Sequence, residues 1–249
     1  MPECPLSMTV SDLLPRIGTP RCPPVIDVTA DADFDADPRL IPGAMRWPHE
    51  TLPHLLPRLA GQSPVFVCQK GRKLSQVAAS WARGENVSAR YLVGGMQNWT
   101  NTMAAPTLDA TALPPRREGR TLWIAPRRSD PGDIAAIWVV RRFVDRSARF
   151  LFVDTDQVAA AAEVFSAAHV APNGLAEFTK TLGLAALELD RRVLVTDAAD
   201  RGAAWHAGAL LRGLATLYDT EEDRSEAALA IFDGLFAQDA PARHEGARR

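Results

Sequence analysis

Hydrophobic positions along the chain follow two rhythms, and the change between them falls in the proline-rich stretch that ends at Gly119. Before it they come as short runs. Val25-Ile26-Asp27-Val28, Val65-Phe66-Val67 and Tyr91-Leu92-Val93 are β-branched or aromatic stretches, too short for helices and bounded by turn formers, and they predict buried strands. Pro15, Pro20, Pro23, Pro24, Pro38, Pro42, Pro48, Pro53 and Pro57 exclude long helices from the same region. From Leu74 the apolar residues fall at Leu74, Val77, Ala78 and Trp81, one helix face, and Gly84 ends the pattern. Strands alternating with helices predict a parallel sheet with helices on its faces.

After Gly119, strands are predicted at Leu122–Ala125 and Phe150–Val153, and helical stripes take over. Leu210, Leu211, Leu214, Leu217 and Tyr218 form one amphipathic face, and Ala228, Ile231, Phe232, Leu235 and Phe236 form another; both are expected in the core. The fold class is therefore α/β, a parallel sheet flanked by helices, followed by a second, mostly helical α+β domain. The boundaries read as an extension over 1–22, a first domain over 23–104, a linker over 105–119 around Pro106 and Pro114-Pro115, a second domain over 120–238 and a disordered tail over 239–249.

Composition narrows the partners. The 249 residues carry 28 Lys+Arg against 30 Asp+Glu, a net charge of -2 that offers no concentrated basic face for nucleic acid. The longest purely apolar stretch, Ile134 to Val140, is far short of the about 20 residues that span a bilayer, so no membrane partner is expected. The first residues have neither a basic head nor a sustained apolar segment, and the expected compartment is the cytoplasm. Cys4, Cys22 and Cys68 are too few for a disulfide framework and form no Cys-x-x-Cys pair, so any functional cysteine acts singly and neither a metal nor a cofactor is expected.

Cys68 has the surroundings for chemistry. It ends a predicted strand and opens the stretch Gln69-Lys70-Gly71-Arg72-Lys73 before the helix that starts near Leu74. Unpaired N–H groups at a helix start carry partial positive charge and stabilise a thiolate, and Lys70, Arg72 and Lys73 add to the field. A loop curled over the sulfur, with Gly71 making its tight turn, would hold an anionic substrate or a persulfide. Asp27, ending the first strand, reads as an orienting hydrogen-bond partner. Cys22, at the start of that strand, should lie at the opposite end of the sheet from Cys68.

Several of these pieces, in order, resemble the rhodanese sulfurtransferase domain: Ile26-Asp27-Val28, Phe34, Ile41-Pro42-Gly43-Ala44, Cys68 with Gly71, and Gly94-Gly95 with Trp99. The resemblance implies that Cys68 is the nucleophile and that Gln69, Lys70, Gly71, Arg72 and Lys73 bind the substrate. It implies a small sulfur-containing anion such as thiosulfate as donor, a Cys68 persulfide as intermediate, and a thiol, a protein sulfur acceptor or cyanide as acceptor. The chain departs from the family at Thr29, Leu40 and Lys73, where arginine, histidine and arginine are frequent, and its expected serine stands one place late, as Ser75. Related phosphatases need one more loop residue and a closing arginine, where this chain has Leu74; that favours sulfur over phosphate.

Trp138-Val139-Val140-Arg141-Arg142-Phe143-Val144-Asp145 followed by Phe150-Leu151-Phe152-Val153 resembles the C-terminal domain of ChrB-type chromate resistance proteins. Gly132-Asp133 and Ala136 stand where that family has Asp-Arg and a cysteine, and His169 has a different context, so a degenerate site is expected there. This second resemblance implies an alternative function, a non-enzymatic oxyanion- or chromate-responsive regulator or scaffold that uses the Cys68 loop as an anion or redox sensor. Asp197, Asp200, His206 and the Glu221-Glu222-Asp223 cluster lack ligand spacing and read as caps or helix surface. Arg141-Arg142 are expected to reach solvent while Trp138 is buried.

Overall fold

The computed structural model describes residues 6–127, 129–194 and 201–238, the side chains of 201–208 excepted. The first sheet is built from β1 (Ser7–Met8), β2 (Val25–Asp27), β4 (Ala44–Arg46), β5 (Val65–Val67) and β6 (Arg90–Leu92), in the order β1-β6-β5-β2-β4 with every pair parallel. Parallel neighbours need crossovers. These carry α2 (Asp31–Ala36), α3 (Leu52–Leu55) and α4 (Lys73–Gly84), while α1 (Val10–Leu13) and α5 (Gly95–Asn101) follow β1 and β6. The chain moves outward from β2 to β4, then returns to β5 and continues the other way to β6. This reversal between β2 and β5 makes a crevice at their carboxyl ends, where open α/β sheets place their ligands.

β2 and β5 are buried on both faces, which is why they read as apolar runs, broken only by Asp27, whose buried carboxyl accepts from the Thr29 amide. Their side chains alternate between two cores. Val25, Val65, Val67 and Leu92 join Met96 and Trp99 on one face; Ile26, Phe66 and Cys68 join Leu52, Leu55, Ala78, Ala79 and Ala82 on the other.

The second domain has a three-stranded parallel sheet of β8 (Leu122–Pro126), β9 (Arg149–Val153) and β10 (Ala168–His169), in the order β10-β8-β9. Around it lie α6 (Pro131–Val139), α7 (Val158–Phe165), α8 (Leu175–Thr181), α9 (Leu189–Leu194), α10 (Arg201–Leu217) and α11 (Glu221–Gln238). α6 is buried on every side from Ile134 to Val139 and packs against α8, α9 and α11. Its start is fixed by a capping box between Asp130 and Asp133, with Pro131 in the first turn. One apolar cluster runs from the first sheet through Trp99 into Trp123, Trp138 and Phe143, so the two domains share a core.

Several expectations change here. The span read as an extension supplies β1, whose Ser7 and Met8 pair with Tyr91 and Leu92; two residues are too few to show any alternation. The span read as a linker is fastened to both sides. Its β7 (Leu108–Asp109) pairs antiparallel with β3 (Arg39–Leu40), the Asp109 amide donates to Leu182 O, and the Pro106 carbonyl accepts from Trp99 Nε1 at 2.7 Å.

The α4 stripe is rotated from its predicted face. Ser75, Ala78, Ala79 and Ala82 face the sheet, while Val77 and Trp81 are 63% and 46% exposed, because small side chains let the helix lie close on Phe66. The α10 stripe is a core stripe only in part: Leu211 is buried and Leu214 packs against the core, but Leu217 is 74% exposed and Leu210 and Tyr218 also face outward. In α11, Ala228 and Phe232 are buried and Ile231, Leu235 and Phe236 pack beside them. Arg141 and Arg142 do not extend to water. Arg142 grips Asp233 of α11 bidentately at 2.7 and 2.8 Å, Trp138 Nε1 donates to the same carboxylate at 2.9 Å, and Arg141 pairs with Glu226. Cys4, Asp197, Asp200, the side chain of His206 and the tail over 239–249 lie outside the described residues.

Candidate active site

Cys68 follows β5 at its carboxyl end, at the β2–β5 reversal, and is 6% exposed. Alternation along the strand turns its side chain to the Phe66 face, under the start of α4. Residues 69–72 make the loop, and Arg72 sits at the N-cap of α4 with φ −119° and ψ −125°.

The loop is held from behind by the first turn of α5. The Met96 amide donates to Cys68 O at 3.1 Å and the Gln97 amide to Gln69 O at 2.9 Å, so orphan donors of one helix start satisfy the carbonyls of the loop. Gly71 closes the turn on Cys68 O at 3.3 Å, and Gln76 Nε2 donates to Gly71 O at 3.2 Å. The approach is so close that Gly71, at φ +60°, faces Gly95, at φ +59°. A Cβ on Gly71 would lie 2.5 Å from Leu92 O and 2.6 Å from Gly94 N, and one on Gly95 would overlap Cys68 O and Gly71 N.

Carbonyls of this loop are thus taken up, while most of its amides are not. Among the described residues, the N–H groups of Gln69, Lys70, Arg72, Lys73, Leu74 and Ser75 have no backbone acceptor. Such a set is an anion-binding nest. The Cys68 thiol donates to Ser75 Oγ at 3.2 Å, and that hydroxyl donates to Arg72 O at 3.4 Å. Lys70, Arg72 and Lys73 are exposed and form no ion pair among the described residues, so they contribute field rather than structure. Gln69 is half-buried. Beside the loop, Lys70, Arg72, Gln76, Tyr91 and Asn98 line an open cavity of about 810 Å³.

Asp27 stands at the end of β2 in register with Val67, one residue before Cys68 on the neighbouring strand. Its Oδ1 accepts from the Thr29 amide at 2.8 Å, and Arg46 Nη1 lies 3.7 Å away. Burial pushes its carboxyl above the ordinary aspartate range, against the opposing pull of the Thr29 hydrogen bonds and Arg46. Arg46 in turn donates to Thr29 O at 2.8 Å, pairs with Asp31 and covers the Phe34 ring at 4.0 Å. Asp27 therefore fixes the strand end and bonds nothing in the cysteine loop.

Sequence reasoning placed the cysteine and its loop but missed Ser75 as the partner of the sulfur, the α5 amides and Arg46. The register of Asp27 with Arg46 exists only once β2 and β4 are paired. Cys22 lies at the other end of β2, half-buried, with its thiol pushed up to about 11 by burial. In the second domain Asp133 is spent on the helix cap, Ala136 is wholly buried, and burial lowers the pKa of His169.

A cysteine at the switch point of a five-stranded parallel sheet, beside a loop whose amides are mostly without backbone acceptors, defines the class: residues 9–102 match the family model of the rhodanese-like domain. Residues 123–239 match the model of the ChrB C-terminal domain. The chain is thus a rhodanese-like domain followed by a ChrB C-terminal domain. Among solved structures, it is similar to a rhodanese-like domain protein from Staphylococcus aureus, at 23% identity over 37% of this chain and 89% of that one with a TM-score of 0.34. It is similar to a rhodanese-related protein from Thermoplasma volcanium, at 19% identity over 41% and 96% of the two chains with a TM-score of 0.35. A thiosulfate sulfurtransferase from Pseudomonas aeruginosa is 27% identical over 41% of this chain and 19% of that one, with a TM-score of 0.33. No curated protein matches. Among the described residues, no helix is long and apolar enough to cross a membrane.

Proposed function

We propose that the chain is a sulfurtransferase that carries sulfane sulfur on Cys68. The observation that supports this best is the set of amides between Gln69 and Ser75, all but that of Gly71 without a backbone acceptor, beside a thiol that itself bonds Ser75. Once Cys68 has lost its proton to solvent, the thiolate attacks the outer sulfur of thiosulfate. A new S–S bond forms at Cys68, the sulfane S–S bond breaks, and its electron pair leaves with sulfite. The anionic persulfide then rests among the loop amides, which offer donors where the negative charge sits. Cyanide or an acceptor thiolate attacks the terminal sulfur and departs carrying it, and the Cys68 thiolate returns, a ping-pong cycle. Gln69, Lys70, Gly71, Arg72 and Lys73 bind the donor, the loop with its amides and the three cations with their charge. Lysine at position 73 keeps that charge without the planar fork of arginine, so oxyanion selectivity is set by the amides.

The test is thiosulfate-dependent thiocyanate formation by the wild type and Cys68→Ser, with the intact mass followed in parallel. Turnover and an added sulfur on the wild type alone are expected. Absence of both with thiosulfate and with other sulfane donors would refute the reading. The ChrB C-terminal domain favours a second reading, an oxyanion- or chromate-responsive regulator in which Cys68 is oxidised without passing sulfur on. Oxidation of Cys68 without transfer would select it.

A further inference from the structure

At the amino ends of the strands, opposite Cys68, a cavity of about 420 Å³ opens along the seam between the two domains. Four arginines, Arg58, Arg116, Arg120 and Arg146, line it with a single acid, Asp145. Arg116 is committed to structure. It lies 3.0 Å from Asp145 and donates to Gly119 O, Ala44 O and Val144 O, which ties the connecting segment to both domains. The guanidinium groups of Arg58, Arg120 and Arg146 have no carboxylate and no hydrogen-bond acceptor among the described residues. They come from three segments: the turn after α3, two residues before β8, and the approach to β9. Arg58 hangs over the connecting segment, since a Cβ on Gly119 would come within 3.0 Å of its Nη1. Ile26, Met45, Leu55 and Leu59 give the lining an aliphatic part.

We propose that this cleft binds a phosphomonoester with an aliphatic body. Three guanidinium forks in excess of their local acids match a dianion that accepts bidentate bonds, and exceed what one carboxylate can use. The volume lies in the range of small-molecule sites, about 300–1,000 Å³, and is more than a bare oxyanion fills. No aromatic ring lines it, so it offers a nucleobase nothing to stack on. A bound ligand would touch both domains and the segment between them, and so bind them together. The proposal is independent of the chemistry at Cys68.

Titration calorimetry of the full chain with hexyl phosphate, inorganic phosphate and adenosine monophosphate tests it. Hexyl phosphate should bind saturably, at least about tenfold tighter than inorganic phosphate, because the aliphatic part of the lining buries several methylene groups. The triple variant Arg58→Ala, Arg120→Ala, Arg146→Ala should lose at least about tenfold of that affinity, and Arg120→Ala alone, at an exposed position, about threefold. The thermal midpoint without ligand should be unmoved in Arg120→Ala and raised by hexyl phosphate in the wild type. Absent binding, equal affinity for inorganic phosphate, tighter binding of adenosine monophosphate, or an unaltered affinity in Arg120→Ala would each overturn the proposal.

Discussion

Replacing Gly95 by alanine separates the cost of a backbone conformation from the cost of moving the cysteine loop. At φ +59° any Cβ-bearing residue is strained by about 1–2 kcal/mol. Gly61, at φ +73° with nothing within 4 Å of its would-be Cβ, pays this strain alone and serves as the control. At Gly95 the new methyl would also overlap Cys68 O and Gly71 N, which are backbone atoms and cannot rotate away. The loop must retreat from α5, and the bonds from Met96 N to Cys68 O and from Gln97 N to Gln69 O are lost with it. Two such bonds contribute about 0.5–1.5 kcal/mol each, so Gly95→Ala should be about 1–3 kcal/mol less stable than Gly61→Ala in denaturant unfolding. The same retreat displaces the loop amides relative to Cys68. Sulfur transfer should therefore fall by at least about tenfold in Gly95→Ala, one power of ten for each 1.4 kcal/mol lost at the transition state, and remain near the wild type in Gly61→Ala. Equal stability of the two variants, with sulfur transfer intact in both, would refute the claim that the α5 turn holds the loop in shape.

Three further outcomes follow from buried carboxylates. Asp145 is opposed by burial, but the Arg116 guanidinium and the amides of Thr121 and Ser147 outweigh it and hold its pKa below 3.8. It therefore stabilises the fold above that value, and the contribution is lost as pH falls through its lowered pKa; Asp145→Asn should cost about 2–4 kcal/mol at pH 7 and flatten the acid limb of a stability–pH curve. Asp233→Ala strands Arg142 and Trp138 Nε1 in a partly buried site, an expected loss of about 3–5 kcal/mol by denaturant unfolding, with Asp233→Asn intermediate. Asp27 is the reverse case, since its raised pKa means that stability is lost as pH rises from 3.8 through the folded value. Asp27→Asn, which keeps an acceptor for Thr29, should be as stable as the wild type at pH 7 or more so, and a loss above about 2 kcal/mol would show that its attraction to Arg46 outweighs burial.

The parts of the fold legible in the sequence are those where one residue's chemistry decides. Strands buried on both faces are apolar except where a buried polar group is bonded, so β5 and β8 announce themselves, and β2 does so with Asp27 as its exception. A cysteine followed by three cations and a glycine between a strand and a helix is likewise a local pattern. Faces were less legible than elements. On α4, three alanines and a serine meet the sheet while Val77 and Trp81 look outward, because closeness of approach outweighed the hydrophobicity of single side chains. The positions that hold the loop were illegible for another reason: the amides of Met96 and Gln97 are backbone groups, common to every residue but proline, and only the turn at Gly94-Gly95 hints at them.

The same distinction explains why composition did not show how the connecting segment is fastened. A segment with prolines, charges and no apolar period reads as a free connection, yet residues 105–119 carry β7 and Arg116, whose guanidinium bonds carbonyls on both sides of the seam. Polar residues that fasten one domain to another leave no hydrophobic rhythm, because their partners are backbone carbonyls and a distant aspartate. A chain with a continuous core through Trp99, Trp123 and Trp138 and a polar strap across its edge has little freedom for its domains to move apart. A ligand seated among the arginines of that seam would find both walls already in place, and its affinity would not be reduced by the ordering of a loose interface.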